Sequence, residues 1–207
     1  MTKEGCRLTK ENRLQKQLNF IVEIDKLKKV YRQTFLTDGS RKENDAEHSW
    51  HLALMGILLS EHALHKDLNI LRVLKMVLIH DVVEIDAGDT YCYAPERLNT
   101  ENFVREQKAA KRLFALLPTD QAREFMDLWT EFEQRQTPEA RFAAALDRLQ
   151  PLLHNYITKG KSWQEHGITN EQVLNRNKYI GEGSALLWNY AREMIQKAVE
   201  KGYLQKG

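Results

Sequence analysis

From Ile70 to Ile79 the chain is apolar except at Arg72 and Lys75, and it then runs directly into His80-Asp81. A second stretch, Trp50 to Leu59, is apolar nearly all round its helical circumference. Segments of this kind must be covered by neighbours, so both are expected at the buried centre of a helical bundle. Neither is long enough to span a bilayer. Two adjacent polar residues at the end of a buried apolar run would be penalised unless something satisfies them. That demand makes His80-Asp81 the place where chemistry should be sought.

Other segments fill in an all-α fold. Leu14, Leu18, Ile21, Ile24, Leu27 and Tyr31 recur every three or four residues, which predicts a first helix from about Glu11 to Phe35 with one buried face. Asp38-Gly39-Ser40 has turn composition, and Asp45 could cap the next helix, which runs through His48 to about His62. The stretch from Asp86 to Asn99, with Gly88 and Pro95, has no period and is expected to be an irregular loop. Thr137-Pro138-Glu139 carries a cap, an N1 proline and a first-turn carboxylate, and a helix follows from Ala140 to Ile157 with Asp147 inside it. Thr100 to Leu117, Asp120 to Glu133, Asn170 to Tyr179 and Ser184 to Val199 complete the helices, and no strand is expected.

The 207 residues, 42% of them apolar, suffice for a single domain over 1–207, with a motif core at about 27–153 and C-terminal helices at 170–200 packing on it. Basic and acidic residues nearly cancel, 31 against 29, so a nucleic-acid polymer is not an expected partner. Cys6 and Cys92 stand far apart and read as free thiols, and the N-terminus lacks an apolar signal core. Cytoplasmic localisation, with no membrane contact, is expected.

A divalent cation would satisfy His80 and Asp81, because imidazole and carboxylate both ligate Mn, Co, Fe, Ni or Zn, and helices of a bundle can supply ligands jointly. His48 and Asp147 complete a set of four. Singly, each has an ordinary alternative: a hydrogen-bonded core histidine, or an aspartate paired with an arginine. As a set on separate helices they point to one metal site.

Glu47-His48-Ser49, then His80-Asp81-Val82-Val83-Glu84 followed by Gly88-Asp89, then Asp147, resemble the HD-domain phosphohydrolases, and more narrowly the subgroup that includes bacterial 5'-deoxynucleotidases. The resemblance covers about Leu27 to Leu153. It implies a helical bundle, often a homodimer, holding one divalent metal ion, whose identity (Mn, Co, Fe, Ni, Zn or Mg) is open. Members with two metals carry extra histidines soon after the HD pair, whereas no histidine lies between His80 and His154 here. The resemblance also implies that Glu84 orients or protonates around the attacked phosphate and that Asp89 contacts substrate. A phosphate-gripping arginine of the first helix aligns with Arg32 if the following loop is one residue longer, with an exposed helix-end arginine as the alternative. The tryptophan that follows it in the deoxynucleotidases is Gln33 here, which implies weak discrimination against a ribose 2'-hydroxyl.

Other candidates rank lower. His51 lies one turn from His48 but outside the motif, His62 and His65 are expected at a solvated helix end, and His154 could support the site from two turns beyond Asp147. Trp50, Trp129, Trp163 and Trp188 read as packing residues. The expectation is hydrolysis of a phosphomonoester, a nucleoside 5'-monophosphate or similar small metabolite. The alternatives are hydrolysis of triphosphate, pyrophosphate or cyclic phosphodiester bonds, or a non-catalytic metal- and nucleotide-binding dimeric sensor.

Overall fold

The computed structural model describes residues 3–93 and 96–207. Helix α1 (Lys3–Ile24) passes through a 3-10 turn (Asp25–Lys29) into a two-stranded antiparallel hairpin, β1 (Tyr31–Phe35) and β2 (Lys42–Asn44). The first predicted helix therefore runs too far, and the expectation of no strand is overturned. Leu27 and Tyr31 fit the helical period by coincidence. From Val30 onward the backbone is extended, and the Asp38-Gly39 turn, with Gly39 at φ +70°, folds the polar segment back onto β1.

The remaining helices are α2 (Asp45–Leu59), α3 (Ile70–Ile79), α4 (Glu84–Ala87), α5 (Glu96–Phe114) and α6 (Thr119–Gln134). They are followed by α7 (Pro138–Ile157), α8 (Lys161–Glu165), α9 (Asn170–Asn177), α10 (Ile180–Gly183) and α11 (Ala185–Glu200). Asn44, not Asp45, caps α2: its side chain accepts from the Glu47 N–H while Glu47 reaches back to the Asn44 N–H. Asp45 is thereby released into the interior. The loop expected over 86–99 is shortened from both sides by α4 and α5, and Pro95 and the side chain of Cys6 lie outside the described residues.

Helix α7 is the axis of the fold, packing against α2, α3, α6, α10 and α11. Thr137 caps it through the Ala140 N–H, and Pro138 opens its first turn. Its alanines, Ala140, Ala143 and Ala145, are fully buried and let neighbouring helices approach closely. Helices α2 and α3 bury only their inner faces: Leu52, Val73, Met76 and Val77 are in the core, while Trp50, Leu54, Ile57, Leu58, Leu71 and Leu78 are exposed. On α1, Leu14, Leu18 and Ile21 are likewise exposed, although Phe20 packs edge-on against Phe125. The expected burial of the α1 face and of Trp50 does not hold within one chain, whereas Trp129 and Trp163 are core residues. Among the described residues no helix is long and apolar enough to cross a membrane.

The C-terminal helices share the same buried cluster through Leu187, Ala191, Met194 and Ile195. They approach α7 tightly at Gly183, where an added Cβ would stand 2.6 Å from the Arg141 carbonyl oxygen and 2.7 Å from the Ala145 Cβ. Gly183→Ala should destabilise the protein by about 1–3 kcal/mol through overpacking, read as a lowered urea midpoint at unchanged m-value. An unchanged midpoint would mean that this contact is not tight.

Candidate functional site

The four residues singled out as ligands converge although they come from distant parts of the chain. The Asp147 Oδ1 lies 3.1 Å from the His48 Nε2 and 3.7 Å from the His80 Nε2. Asp81 Oδ1 is 3.1 Å from His80 Nε2, and its Oδ2 is 3.9 Å from His48 Nε2. Helix α2 carries His48, the 3-10 turn that follows α3 (His80–Val83) carries His80 and Asp81, and α7 carries Asp147. The tightening from α-helix to 3-10 turn at His80 directs two consecutive side chains into one space.

The far nitrogen of each imidazole is tied down. His80 Nδ1 donates to the Val77 carbonyl at 3.0 Å, and His48 Nδ1 lies 3.1 Å from Gln150 Oε1, which accepts its proton. With both rings neutral, the two Nε2 atoms would turn lone pairs toward the space beside Asp147, the arrangement that metal-ligating histidines adopt. His80 Nε2 is buried without a hydrogen-bond partner, an unsatisfied atom that a cation would accommodate. His48, His80 and Asp147 offer ligand atoms within 4.8 Å of one another. The chemistry of this donor set fits a divalent transition metal better than Mg, which prefers oxygen ligands throughout.

The electrostatics divide these groups. Burial, helped by Arg32, lowers His48 to about 4, so this ring is neutral. Burial acts on His80 in the same direction, but the carboxylates of Asp81 and Asp147 outweigh it and raise the ring to about 9. Asp147 is itself held well below the ordinary carboxylate range: burial pushes it up, but the His48 and His80 rings that face it outweigh burial. Beside them stands a second acidic group of Asp45, Asp81 and Glu84. Burial and then the charge of Asp81 push Asp45 up to about 7 and Glu84 well above its usual range, and the interaction between these two carboxyl groups favours the proton on Glu84.

Arg32 reaches this group from β1, not from a helix: one guanidinium nitrogen donates to Asp81 Oδ2 at 2.8 Å and to Asp45 Oδ1 at 3.3 Å. The alternative of an exposed helix-end arginine is excluded. Gln33 accepts from the Lys42 ammonium and stands, with Arg32, Asp81, Glu84 and Asp89, on the wall of a cavity of about 380 Å³. All eight residues singled out in the sequence thus lie in or beside one pocket.

The sequence did not single out Asp45, Glu43 or Gln150. Gln150 is fully buried, and its amide nitrogen lies 2.7 Å from Glu43 Oε1, 3.1 Å from His154 Nε2 and 3.3 Å from His51 Nδ1. His154 supports the site through this amide while its Nδ1 donates to the Phe35 carbonyl, and His51 belongs to the same layer. One signal was available. Gln150 and His154 follow Asp147 at i+3 and i+7, on one face of its helix.

The HD domain family model matches residues 24–188. Among curated relatives, the 5'-deoxynucleotidase HDDC2 of Homo sapiens is 31% identical over 137 residues, 66% of this chain and 65% of that protein. The chain thus spans just under two thirds of the human relative's length. The 5'-deoxynucleotidase hdd1 of Schizosaccharomyces pombe is 25% identical over 187 residues, 87% of this chain and 83% of that one. Among solved structures, a protein described as a predicted metal-dependent phosphohydrolase, from Magnetospirillum magnetotacticum MS-1, is 54% identical with a TM-score of 0.89, covering 93% of this chain and 96% of its own. An HD-domain phosphohydrolase of Listeria innocua, 18% identical with a TM-score of 0.59 over 88% of this chain and 85% of its own, shares the fold.

His80 must lose its proton before it can ligate, whereas His48 and Asp147 have none to lose near neutral pH. Below the raised value of about 9, binding of Mn²⁺ should therefore release about one proton per metal ion, and the release should fade as pH approaches and passes that value. Calorimetric titrations in buffers of different ionisation enthalpy measure it. No release at neutral pH would mean that His80 is already neutral.

Proposed function

Since the chain belongs to the HD domain family, we propose that it is a metal-dependent hydrolase of phosphomonoesters acting on nucleoside 5'-monophosphates, with His48, His80, Asp81 and Asp147 as metal ligands. The observation that carries this reading is the unsatisfied Nε2 of His80 facing Asp147, in the same cavity as Arg32 and Glu84, whose carboxyl burial holds well above its usual range. A divalent metal held there would lower the pKa of water and polarise a phosphoryl oxygen. The relatives named 5'-deoxynucleotidase support the substrate class.

The roles of the protein's own groups follow from their states. Arg32 grips a phosphoryl oxygen with the donors not engaged by Asp81 and Asp45, and it balances the negative charge that the substrate brings. Glu84, which keeps its proton near neutral pH, gives that proton to the departing ester oxygen. Asp45 holds Glu84 in place, and Asp89, on the same wall, contacts the substrate. Gln33 offers amide hydrogens to a sugar hydroxyl, because only its carbonyl oxygen is taken by Lys42.

All 207 residues serve this one HD domain, and the working unit is a homodimer in the cytoplasm. The apolar residues exposed on α1, α2 and α3 support the dimer, since large apolar surface left bare on a monomer marks an association face.

Phosphate release from ribo- and deoxyribonucleoside mono-, di- and triphosphates, measured across divalent metals, tests the reading. Turnover of monophosphates alone is expected, and release of pyrophosphate or triphosphate would overturn it. Glu84→Ala should retain metal and lose ~10²-fold or more in kcat, and unchanged turnover would return Glu84 to a structural role. The ratio of kcat/KM for dAMP over AMP should fall below ~100, about 2.7 kcal/mol. Arg32→Ala should raise KM for both members of the pair together, because they share the phosphate contact.

A further inference from the structure

Arg13, Arg32, Arg41, Arg72 and Arg112 each meet an aspartate or glutamate. Three others, Arg135, Arg148 and Arg176, line the wall of the substrate cavity from three different elements. Arg135 follows α6, Arg148 stands next to Asp147 on α7, and Arg176 is in the last turn of α9. Among the described residues none of the three forms an ion pair within 4.0 Å, and the acids that line the same cavity, Asp81, Glu84, Asp89, Glu106, Glu133 and Asp147, do not reach them at that distance.

Their own contacts do not neutralise them. Arg148 donates through Nη1 to the Arg176 main-chain carbonyl at 3.0 Å, while its Nε is buried without a partner. Arg135 Nη1 is buried and unpartnered as well. Both guanidinium groups lean on the ring of Tyr179, at 5.3 Å and 5.6 Å from its centroid, and the Lys178 ammonium stands 5.5 Å from it, so one aromatic ring has three cations about it. Like charges with buried, unused donors at a cavity wall are unfavourable until an anion arrives.

We infer that Arg135, Arg148 and Arg176 form a second anion subsite, so that the preferred substrate carries a further phosphate or carboxylate besides the phosphomonoester at Arg32. The inference rests on the phosphohydrolase reading for the identity of the first phosphate but not for the existence of the subsite. Guanidinium forks suit either kind of anion, since both offer paired oxygens.

The test compares matched compounds on the full-length, metal-loaded protein: adenosine 3',5'-bisphosphate against adenosine 5'-monophosphate, and 3-phosphoglycerate against glycerol 3-phosphate. Where a pair is turned over, the ratio of kcat/KM is read; where it is not, the ratio of calorimetric Kd. One pair should favour the doubly anionic member by ~10-fold or more, and which pair does so tells phosphate from carboxylate. Arg176→Met should bring that ratio to about 1, with Arg135→Met as a second variant should the first not fold, whereas Arg192→Met, on the exposed side of α11, should retain it. Ratios near 1 for both pairs in the natural protein, or a preference that survives Arg176→Met and Arg135→Met, would overturn the subsite. Absence of hydrolysis would overturn the phosphohydrolase reading alone, because the binding ratio would still be measured.

Discussion

Everything in this molecule is arranged around a carboxylate, Asp147, held between two buried imidazoles on a helix that touches most of the others. A charge in that position would be expelled from an ordinary core. It stays because α2 and the turn after α3 each bring a histidine whose other nitrogen is already fixed, so the lone pairs and the carboxylate face a common point. The packing of α2, α3 and α7 and the chemistry of the site are therefore one requirement, met by the same buried surfaces.

A second layer gives the first its orientation. Gln150 accepts from His48 and donates toward Glu43 and His154, linking α2, the hairpin and α7 into one polar seam inside the core. Burial raises Glu43 to about 7, so this acid sits near the balance point between its two forms, and its hydrogen bond from Gln150 favours the charged one. Glu84 and Asp45 stand with Asp81 in a comparable acidic group, where burial raises both. Ordered polar contacts of this sort hold a site rigid where apolar packing alone would let side chains choose among rotamers.

The helices were legible where apolar period and capping signals agreed, as in α3 and α7, where Thr137 and Pro138 start the helix as their types require. The first helix was misjudged because Leu27 and Tyr31 continue a period that the backbone abandons at Val30, and nothing local distinguishes a helical Arg32 from one on a strand. His48, His80, Asp81 and Asp147 could be read because polar residues in apolar segments advertise an unmet need. Asp45, Gln150 and the three unpaired arginines could not: their meaning lies in what stands opposite them, and the partners are tens of residues away or missing altogether.

His48 and Asp147 are separated by 99 positions, with the His80-Asp81 turn between them. No local segment, however helical, holds more than two of the four groups. During synthesis α2, α3 and the turn leave the ribosome before α7 does, with two imidazoles and Asp81 exposed to whatever cations are at hand. Only the docking of α7 completes the set. Selection of the ion is thus a late event, governed by the geometry of the finished helical packing and not by the affinity of the early segment.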